Sequence, residues 1–393
     1  MNVSVIGSTH PGYVIPIEEA LKFSGHEAGI CYMKADFQTI LNEPVEDTMR
    51  RVRGTVMSGH HSVADHVWFN LLFEGIPKII AMLLNNEKMY TTSEKSARFT
   101  HMQASPEESA TYEKWINIFK EEILKTYPSS QWPKMIDTLA EKLAQENARY
   151  FISVFTPATV MGYTVSLRQG NYLIGFCESL IEDCDKSPDP FMKLLRPWIV
   201  ELHDALFNIM NVDGLRDNRG RKFSLFATRK RREAIDENYC INYSGSFAEM
   251  AQAHRHRTLW YEMTVPNPDN CEIFVPPIIR GNDALVADYL SDMEPLKSRY
   301  PQGMQVGINE RGPAEAFCWK CHERLCGAAQ LEICLQTEKS LQKLISGEIE
   351  ADYPDVYAYL MGFDGRTKCT LGHACNEKRS CPLGPNAAFT RLI

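Results

Sequence analysis

Residues 252–260 read QAHRHRTLW and residues 92–99 read TSEKSARF, and these two stretches decide how the chain is interpreted. In the first, Arg255, His256 and Arg257 end an apolar segment. Neighbouring side chains on a helix point about 100° apart, so three such groups can surround a ligand. Arginine offers a planar fork for phosphate or a ring carbonyl, and histidine can stack or donate. The alternative is a basic helix end that complements the helix dipole.

The second stretch carries Glu94, Ser96 and Arg98 at alternating positions. In an extended segment these three side chains share one side, because alternate residues of a strand face the same way. An acceptor, a hydroxyl and a fork donor together suit a nucleotide with a phosphate and polar sugar edges. A capped turn with a surface ion pair is the alternative.

The bulk composition excludes several classes of protein. The chain has 393 residues with a net charge of −8, so as a whole it is not a polyanion binder. The longest apolar stretch, around Ile76–Leu84, is too short to cross a bilayer. The N-terminus shows no signal-peptide pattern. We therefore expect a cytoplasmic protein without membrane contact, in which the 12 cysteines are core thiols, metal ligands or reactive thiols.

The order of elements predicts two halves, residues 1–213 and 234–393, joined by a basic linker at 214–233. Eight Lys or Arg fall between Arg216 and Arg232. A solvated linker or a phosphate-contacting loop would explain them. The pattern predicts a first strand in MNVSVIG, helices over 45–58 and 191–212, and a segment at 149–167 that starts as a strand. Both halves run in similar order, which predicts an α+β fold of two tandem repeats, each a mixed sheet flanked by helices.

The C-terminal tail, from about residue 366, contains evenly spaced cysteines at 369, 375 and 381. Together with Cys326 from an upstream helix, Cys369, Cys375 and Cys381 would make a closed four-thiolate zinc site. An iron–sulfur cluster uses the same ligand type. Ordinary reduced thiols are the third interpretation.

Together these motifs resemble the flavin-dependent thymidylate synthases, the thymidylate-synthase-complementing type. That family carries Gly-His, then Arg-His-Arg, seven residues and a serine inside Glu-x-Ser-x-Arg, and later Arg, four residues and Ala-Gln-x-Glu-Ile. The N-terminal half keeps Gly59-His60 and Glu94-x-Ser96-x-Arg98. In place of the triplet it has Asn86-Glu87-Lys88.

The C-terminal half keeps the triplet at 255–257, Gln252 three residues before it, and Arg324 followed by Ala329-Gln330-x-Glu332-Ile333. It lacks the Glu-x-Ser-x-Arg segment. The losses in the two halves are complementary, which would let each half drop what its partner supplies. The resemblance therefore implies a homodimer that forms a pseudo-tetramer with two working sites and two inactive ones.

The resemblance implies reductive methylation of dUMP to dTMP with FAD, with methylenetetrahydrofolate and NADPH as co-substrates. Cofactor binding would fall to Arg255, His256, Arg257 and His60. Substrate binding would fall to Gln252, Glu94, Ser96, Arg98, Arg149 and Arg324, of which Arg324 and Ser96 would also be catalytic. The protein would orient the reactants and stabilise charge on the uracil ring, and the cofactor would carry the redox chemistry.

Two other functions are compatible with the sequence. One is a related flavoenzyme that acts on another uracil nucleotide. The other is a non-catalytic nucleic-acid-binding zinc module built on the basic linker and the cysteine tail. Because the net charge is acidic and the site is split between the halves, we expect no nucleic-acid partner.

If only the C-terminal triplet grips the flavin, Arg257→Ala should lose bound flavin, because a guanidinium fork is removed. Lys88→Ala is the matched control and should keep it, since Asn86-Glu87-Lys88 lacks the forks. Flavin absorbance per chain after purification measures both. Full flavin content in Arg257→Ala would contradict the prediction.

Overall fold

The computed structural model describes residues 1–9, 16–96, 100–216, 220–226, 231–347, 349–373, 375 and 381–393. The strands are β1 (Asn2–Ser8), β2 (Trp68–Ile76), β3 (Tyr90–Glu94), β4 (Thr159–Ser166), β5 (Asn238–Ser246), β6 (Trp260–Thr264) and β7 (Gln305–Pro313). The helices are α1 (Ile17–Tyr32), α2 (Phe37–Leu41), α3 (Val45–Met57), α4 (Lys78–Asn86), α5 (Pro106–Thr126), α6 (Asp137–Ala148), α7 (Leu167–Lys186), α8 (Pro190–Met210), α9 (Phe247–Ala253), α10 (Asp283–Met293), α11 (Ala314–Arg324), α12 (Leu331–Ile345), α13 (Ile349–Asp352) and α14 (Pro354–Gly362).

The predicted α+β class is confirmed. The described strands form a four-stranded sheet of order β1-β2-β4-β3 and a three-stranded sheet of order β5-β7-β6. All strand pairs in these two sheets are antiparallel, so the sheets are not mixed as the sequence analysis predicted. Strands β2 and β3, which α4 connects, are not neighbours, because β4 lies between them and is antiparallel to both. Strand β7 lies in the same way between β5 and β6, which α9 connects.

Several predicted elements are confirmed and one is misplaced. Strand β1 and helices α3 and α8 lie where the sequence predicted them. The segment from residue 149 does not start as a strand: Arg149–Phe151 forms a 3-10 turn, and β4 begins only at Thr159. Aromatic and β-branched residues occur here because the turn is buried, and burial selects the same residue types as a strand does.

The chain divides into two compact units, residues 1–95 with 157–223 and residues 96–156 with 224–393. This division differs from the predicted boundaries at 213 and 234, because residues 96–156 cluster with the C-terminal part of the chain. The predicted halves and their repeat relationship stay a prediction. None of the helices in the described ranges combines the length and apolar character that a bilayer crossing requires.

In the first unit, β2 sits between β1 and β4, and its alternate residues are buried. Phe69, Leu71 and Phe73 have at most 1% exposure and supply the core face of the sheet. The end of β4 passes directly into α7, where the Ser166 side chain accepts a hydrogen bond from the Gln169 amide at 3.1 Å. This cap satisfies one of the backbone donors that a helix start leaves open.

In the second unit, an aromatic cluster attaches the 96–156 segment to the C-terminal part of the chain. Trp115 of α5 stacks on Phe151 at 5.6 Å and meets Tyr289 of α10 edge-on at 5.0 Å between ring centroids. The Trp115 indole also donates to Asp292 at 2.8 Å. Backbone hydrogen bonds of 2.8–2.9 Å join residues 152 and 154 to residues 302 and 300. These contacts explain the grouping of the second unit.

A buried ion pair lies beside the three-stranded sheet of the second unit. Lys320 of α11 contacts Glu310 of β7 at 2.5 Å, and both side chains have 0% exposure. Two tyrosine hydroxyls also donate to Glu310, from Tyr239 at 2.7 Å and from Tyr243 at 2.9 Å. The hydrogen bonds compensate the cost of removing both charges from water.

Lys320→Met should therefore lower the free energy of unfolding by about 3–5 kcal/mol, since Glu310 would keep a buried charge without its cation. The control Lys297→Met removes an ion pair with Glu294, whose side chain is 68% exposed, and should cost no more than about 1 kcal/mol. Urea unfolding measures both variants. Equal losses of unfolding free energy in the two variants would contradict the prediction.

Candidate active site

A chain of buried polar side chains in the second unit brings together residues far apart in sequence. Arg149 follows the end of α6 and donates through Nη2 to the side-chain oxygen of Gln330. Gln252 of α9 donates to the same oxygen. The Gln330 amide nitrogen in turn donates to the Tyr150 hydroxyl at 2.6 Å. One side chain thus joins Arg149 and Gln252, both predicted substrate contacts.

The network continues to a buried carboxylate at the start of α12. Glu332 accepts a hydrogen bond from the Tyr150 hydroxyl at 2.9 Å. It also accepts from the backbone amide of Ser246 at 2.9 Å and from its hydroxyl at 2.6 Å. The same Ser246 hydroxyl caps α9 by accepting from the Glu249 amide at 3.0 Å. The start of α9 and the start of α12 are therefore tied through Glu332.

Burial controls the protonation of the two carboxyl groups in this region. It raises the pKa of Glu332, against the lowering effect of the Ser246 and Tyr150 hydrogen bonds. It also raises the pKa of Glu249 well above its ordinary value, and the nearby Glu332 charge adds to this rise. Burying a charged carboxylate with too few hydrogen-bond donors costs free energy, so such a group keeps its proton to a higher pH than an exposed carboxyl group does. The region favours a neutral Glu249 beside Glu332.

The triplet lies just past the end of a helix. Helix α9 ends at Ala253 and His254 caps it, so the triplet follows the end of an apolar helix, as the sequence predicted. The Arg255 and Arg257 side chains are exposed, whereas His256 is buried between them.

The predicted catalytic residue Arg324 contacts His256 directly. Its Nε donates to His256 Nε2 at 2.7 Å. Burial, followed by the positive charge of Arg324, lowers the pKa of His256 well below its ordinary value. Arginine has only donors to offer, so the histidine accepts at Nε2, is neutral and carries its proton on Nδ1. The contact fixes one tautomer of the central residue of the triplet.

Two atoms of the buried network retain hydrogen-bonding capacity. Within the described residues, Arg149 Nε and the Gln252 side-chain oxygen are buried and have no hydrogen-bond partner. Buried polar atoms are nearly always satisfied in folded proteins, so such atoms need an explanation. Both belong to residues predicted to contact substrate. A donor and an acceptor that are both open suit the polar groups of a nucleotide ligand.

The adjoining cavity is too small to hold a nucleotide. It measures about 30 Å³ and is lined by Tyr150, Gln330, Glu332 and Arg391, among others. This volume accommodates about two water molecules. A ligand that engaged Arg149 and Gln252 would therefore have to replace Gln330 as their partner.

Four further predicted contacts come from the N-terminal half of the chain: His60, Glu94, Ser96 and Arg98. His60 is exposed and packs edge-on to Tyr32, and Glu94 pairs with Lys78 at 2.5 Å. Both belong to the first unit. Ser96 accepts through its carbonyl from Thr100 at 2.8 Å. Arg98 lies outside the described residues, so the Glu-x-Ser-x-Arg site stays a prediction.

The cysteine tail is only partly described. Burial raises the pKa of Cys369, with smaller effects from Cys375 and Cys326. Burial also raises the pKa of the half-buried Cys381. The described residues contain no group of three or more His, Cys, Asp or Glu that could hold a metal ion. The zinc prediction is not supported.

Sequence reasoning left four parts of this network without a role: Tyr150, Ser246, Glu249 and the side chain of Gln330. One usable signal was present. Ser246 stands three residues before Glu249, the spacing of a helix start with a capping serine. The contacts of Tyr150 and Gln330 depend on tertiary packing and have no local signal.

Part of the chain is similar to a known protein family. Residues 18–173 match the family described as "Thymidylate synthase complementing protein". The match covers less than half of the chain and does not include the triplet at 255–257. It confirms the predicted resemblance.

Two solved structures are similar over part of the chain. One is thymidylate synthase X (ThyX) from Helicobacter pylori with FAD and dUMP, at 16% identity and a TM-score of 0.32, covering 55% of this chain and 96% of that chain. The other is a flavin-dependent thymidylate synthase ThyX from Helicobacter pylori complexed with FAD and dUMP. It shows 14% identity and a TM-score of 0.30, covering 54% of this chain and 100% of that chain. No curated protein matches the sequence.

The raised pKa of Glu249 predicts a pH-dependent stability. A carboxyl group whose pKa is higher in the folded state contributes stability that is fully present below its unfolded pKa. That stability is lost as pH rises through the folded pKa. Glu249→Gln should therefore lose less unfolding free energy than the wild type between about pH 5 and about pH 8. Urea unfolding at both values measures this, with the first-turn residue Glu315→Gln as control. Identical pH dependence in Glu249→Gln and the wild type would contradict the assignment.

Proposed function

We propose that the chain catalyses flavin-dependent reductive methylation of dUMP to dTMP. The observation that carries the proposal is the convergence of Arg149 and Gln252 on Gln330, with 181 and 78 residues separating the partners. Gln252 and Gln330 belong to motifs of the family that the sequence resembles, and Arg149 is a predicted substrate contact. The family match at residues 18–173 supports the same activity.

In this proposal the nucleotide is held by groups of the buried network. Arg149 would turn from Gln330 to the phosphate of dUMP, because a guanidinium binds phosphate through paired hydrogen bonds. Gln252 has both a donor and an acceptor and would meet the uracil edge. Ser96 and Arg98 would complete the substrate grip, as the resemblance implies.

The triplet fits an FAD site in its donor set. Arg255 and Arg257 are exposed on either side of a buried, neutral His256. Two cationic forks suit a diphosphate, and a fixed neutral ring suits contact with a flavin or adenine ring. When bound, FAD would supply hydride chemistry to the reaction. The task of Arg324 would be to keep His256 in one tautomer and to add positive charge near developing negative charge on the uracil ring.

Other parts of the proposal rest on the sequence alone. Methylenetetrahydrofolate would donate the carbon and NADPH would reduce the flavin. Two chains would assemble into a pseudo-tetramer in which N-terminal and C-terminal halves share each working site. The predicted cytoplasmic location and the four-cysteine metal site also stay predictions.

The test is dTMP formation by purified, flavin-loaded protein given dUMP, methylenetetrahydrofolate and NADPH. Arg149→Gln should lower kcat/KM for dUMP by about 10- to 100-fold, because a charged hydrogen bond contributes about 1.5–3 kcal/mol. The control Arg280→Gln removes an exposed guanidinium that donates to the Val275 carbonyl at 2.9 Å, and should leave kcat/KM unchanged.

Three outcomes would contradict all or part of the proposal. Flavin-loaded wild-type protein without any dTMP formation would exclude the reaction. Turnover of another uracil nucleotide in preference to dUMP would keep the enzyme class and replace the substrate. Equal activity of Arg149→Gln and the wild type would exclude Arg149 from substrate binding.

A further inference from the structure

A second pocket lies at one end of the three-stranded sheet in the second unit. Strand register places Cys240 of β5 and Trp260 of β6 on either side of Arg311 of β7 at this end. The pocket has a volume of about 610 Å³, and its lining includes Arg231 and Arg232 of the basic linker. This volume lies within the range of small-molecule and cofactor sites.

The pocket carries a net positive charge. Three arginines line it, and none of its lining residues is acidic. Glu262 pairs with Arg231 and lies 3.5 Å from Arg311, so one carboxylate serves two guanidinium groups. Within the described part of the chain, Arg232 is exposed and makes no ion pair. The Nε of Arg311 is buried without a hydrogen-bond partner among those residues.

The remaining acidic groups nearby do not cancel this charge. Glu233 pairs with Lys343 at 3.0 Å, and Asp236 accepts a hydrogen bond from the Asn238 amide at 2.8 Å. Lys343 is not part of the pocket lining, whereas Asn238 is. Within the lining and its direct ion pairs, three arginines face the single carboxylate of Glu262.

An aromatic wall accompanies the arginines. Trp260 is half-buried in the lining, and the Arg311 guanidinium lies 6.0 Å from the centre of its ring. An indole face next to cationic forks suits a ligand with a flat ring and a phosphate, because a base stacks on the ring while arginines bind phosphate oxygens. A free phosphate would use only the arginines.

We propose that this pocket binds a phosphorylated nucleotide, with the phosphates on Arg231, Arg232 and Arg311 and the base against Trp260. The proposal does not rest on the methylation activity. It gives a role to two of the eight cations of the basic linker, Arg231 and Arg232, which line the pocket. The nucleotide is either the adenine diphosphate end of a bound dinucleotide or a separate nucleotide, and both share this chemistry.

The experiment measures ADP, pyrophosphate and adenosine binding to full-length protein by calorimetry. ADP should bind most tightly. The double variant Arg231→Gln/Arg232→Gln should weaken ADP and pyrophosphate at least tenfold, since charged contacts to phosphate are lost. The control Arg50→Gln removes a surface arginine that pairs with Asp47 and should bind as the wild type does.

Trp260→Leu should weaken ADP binding at least threefold and leave pyrophosphate binding unchanged, whereas Trp260→Phe should retain most of the ADP affinity. These variants separate stacking from charge, and the retained pyrophosphate binding shows that the fold is intact. The proposal is overturned if neither ADP nor pyrophosphate binds, or if the double arginine variant binds both as tightly as the wild type.

A competition arm identifies the source of the nucleotide. Displacement of ADP by added FAD would place a dinucleotide end in the pocket. Undiminished ADP binding to flavin-saturated protein would indicate a separate nucleotide. Both results support a nucleotide site. Because binding is measured without turnover, an inactive enzyme would leave this test valid.

Discussion

The side-chain amide of Gln330 is the contact on which the rest of the candidate site depends. Its oxygen accepts from Arg149 and Gln252, and its nitrogen donates to Tyr150, so one residue ties the end of α6, helix α9 and the start of α12 together. Each partner is buried. Loss of any one would leave a polar group unsatisfied, at a cost of about 1–3 kcal/mol. Such a network holds its members in one arrangement as long as it is complete.

Several ionisable side chains of the second unit are buried, and burial affects their charge. The Lys320–Glu310 pair is fully enclosed and hydrogen-bonded by tyrosines, while Glu249 retains its proton because burial raises its pKa. His256 is kept neutral by burial and by Arg324. Around the triplet, therefore, the buried groups are neutral or paired and the cations Arg255 and Arg257 face outward. This is the distribution that an anionic cofactor requires.

The two sheets share a topological pattern that bears on the proposed internal repeat. In each, a strand, a helix and a second strand are followed much later by a third strand that inserts between them, as in β2-β4-β3 and β5-β7-β6. The third strand then leads into a helix, α7 or α11. Yet residues 96–156 group with the C-terminal part of the chain. The similar order of strands and helices in the two sheets is compatible with two tandem copies. The repeat stays a prediction.

Local sequence determined a good part of this protein: the α+β class, the elements β1, α3 and α8, and the identity of Arg149, Gln252, His256 and Arg324 as residues of interest. These follow from periodicity and from motifs within a few residues. Tertiary structure alone decided that Arg149 meets Gln330, that Arg324 holds His256, and that Arg231, Arg232 and Trp260 line one pocket. The physical reason is that hydrogen bonds, ion pairs and burial act between residues separated by tens to hundreds of positions. A local sequence pattern does not show which distant residues will come into contact.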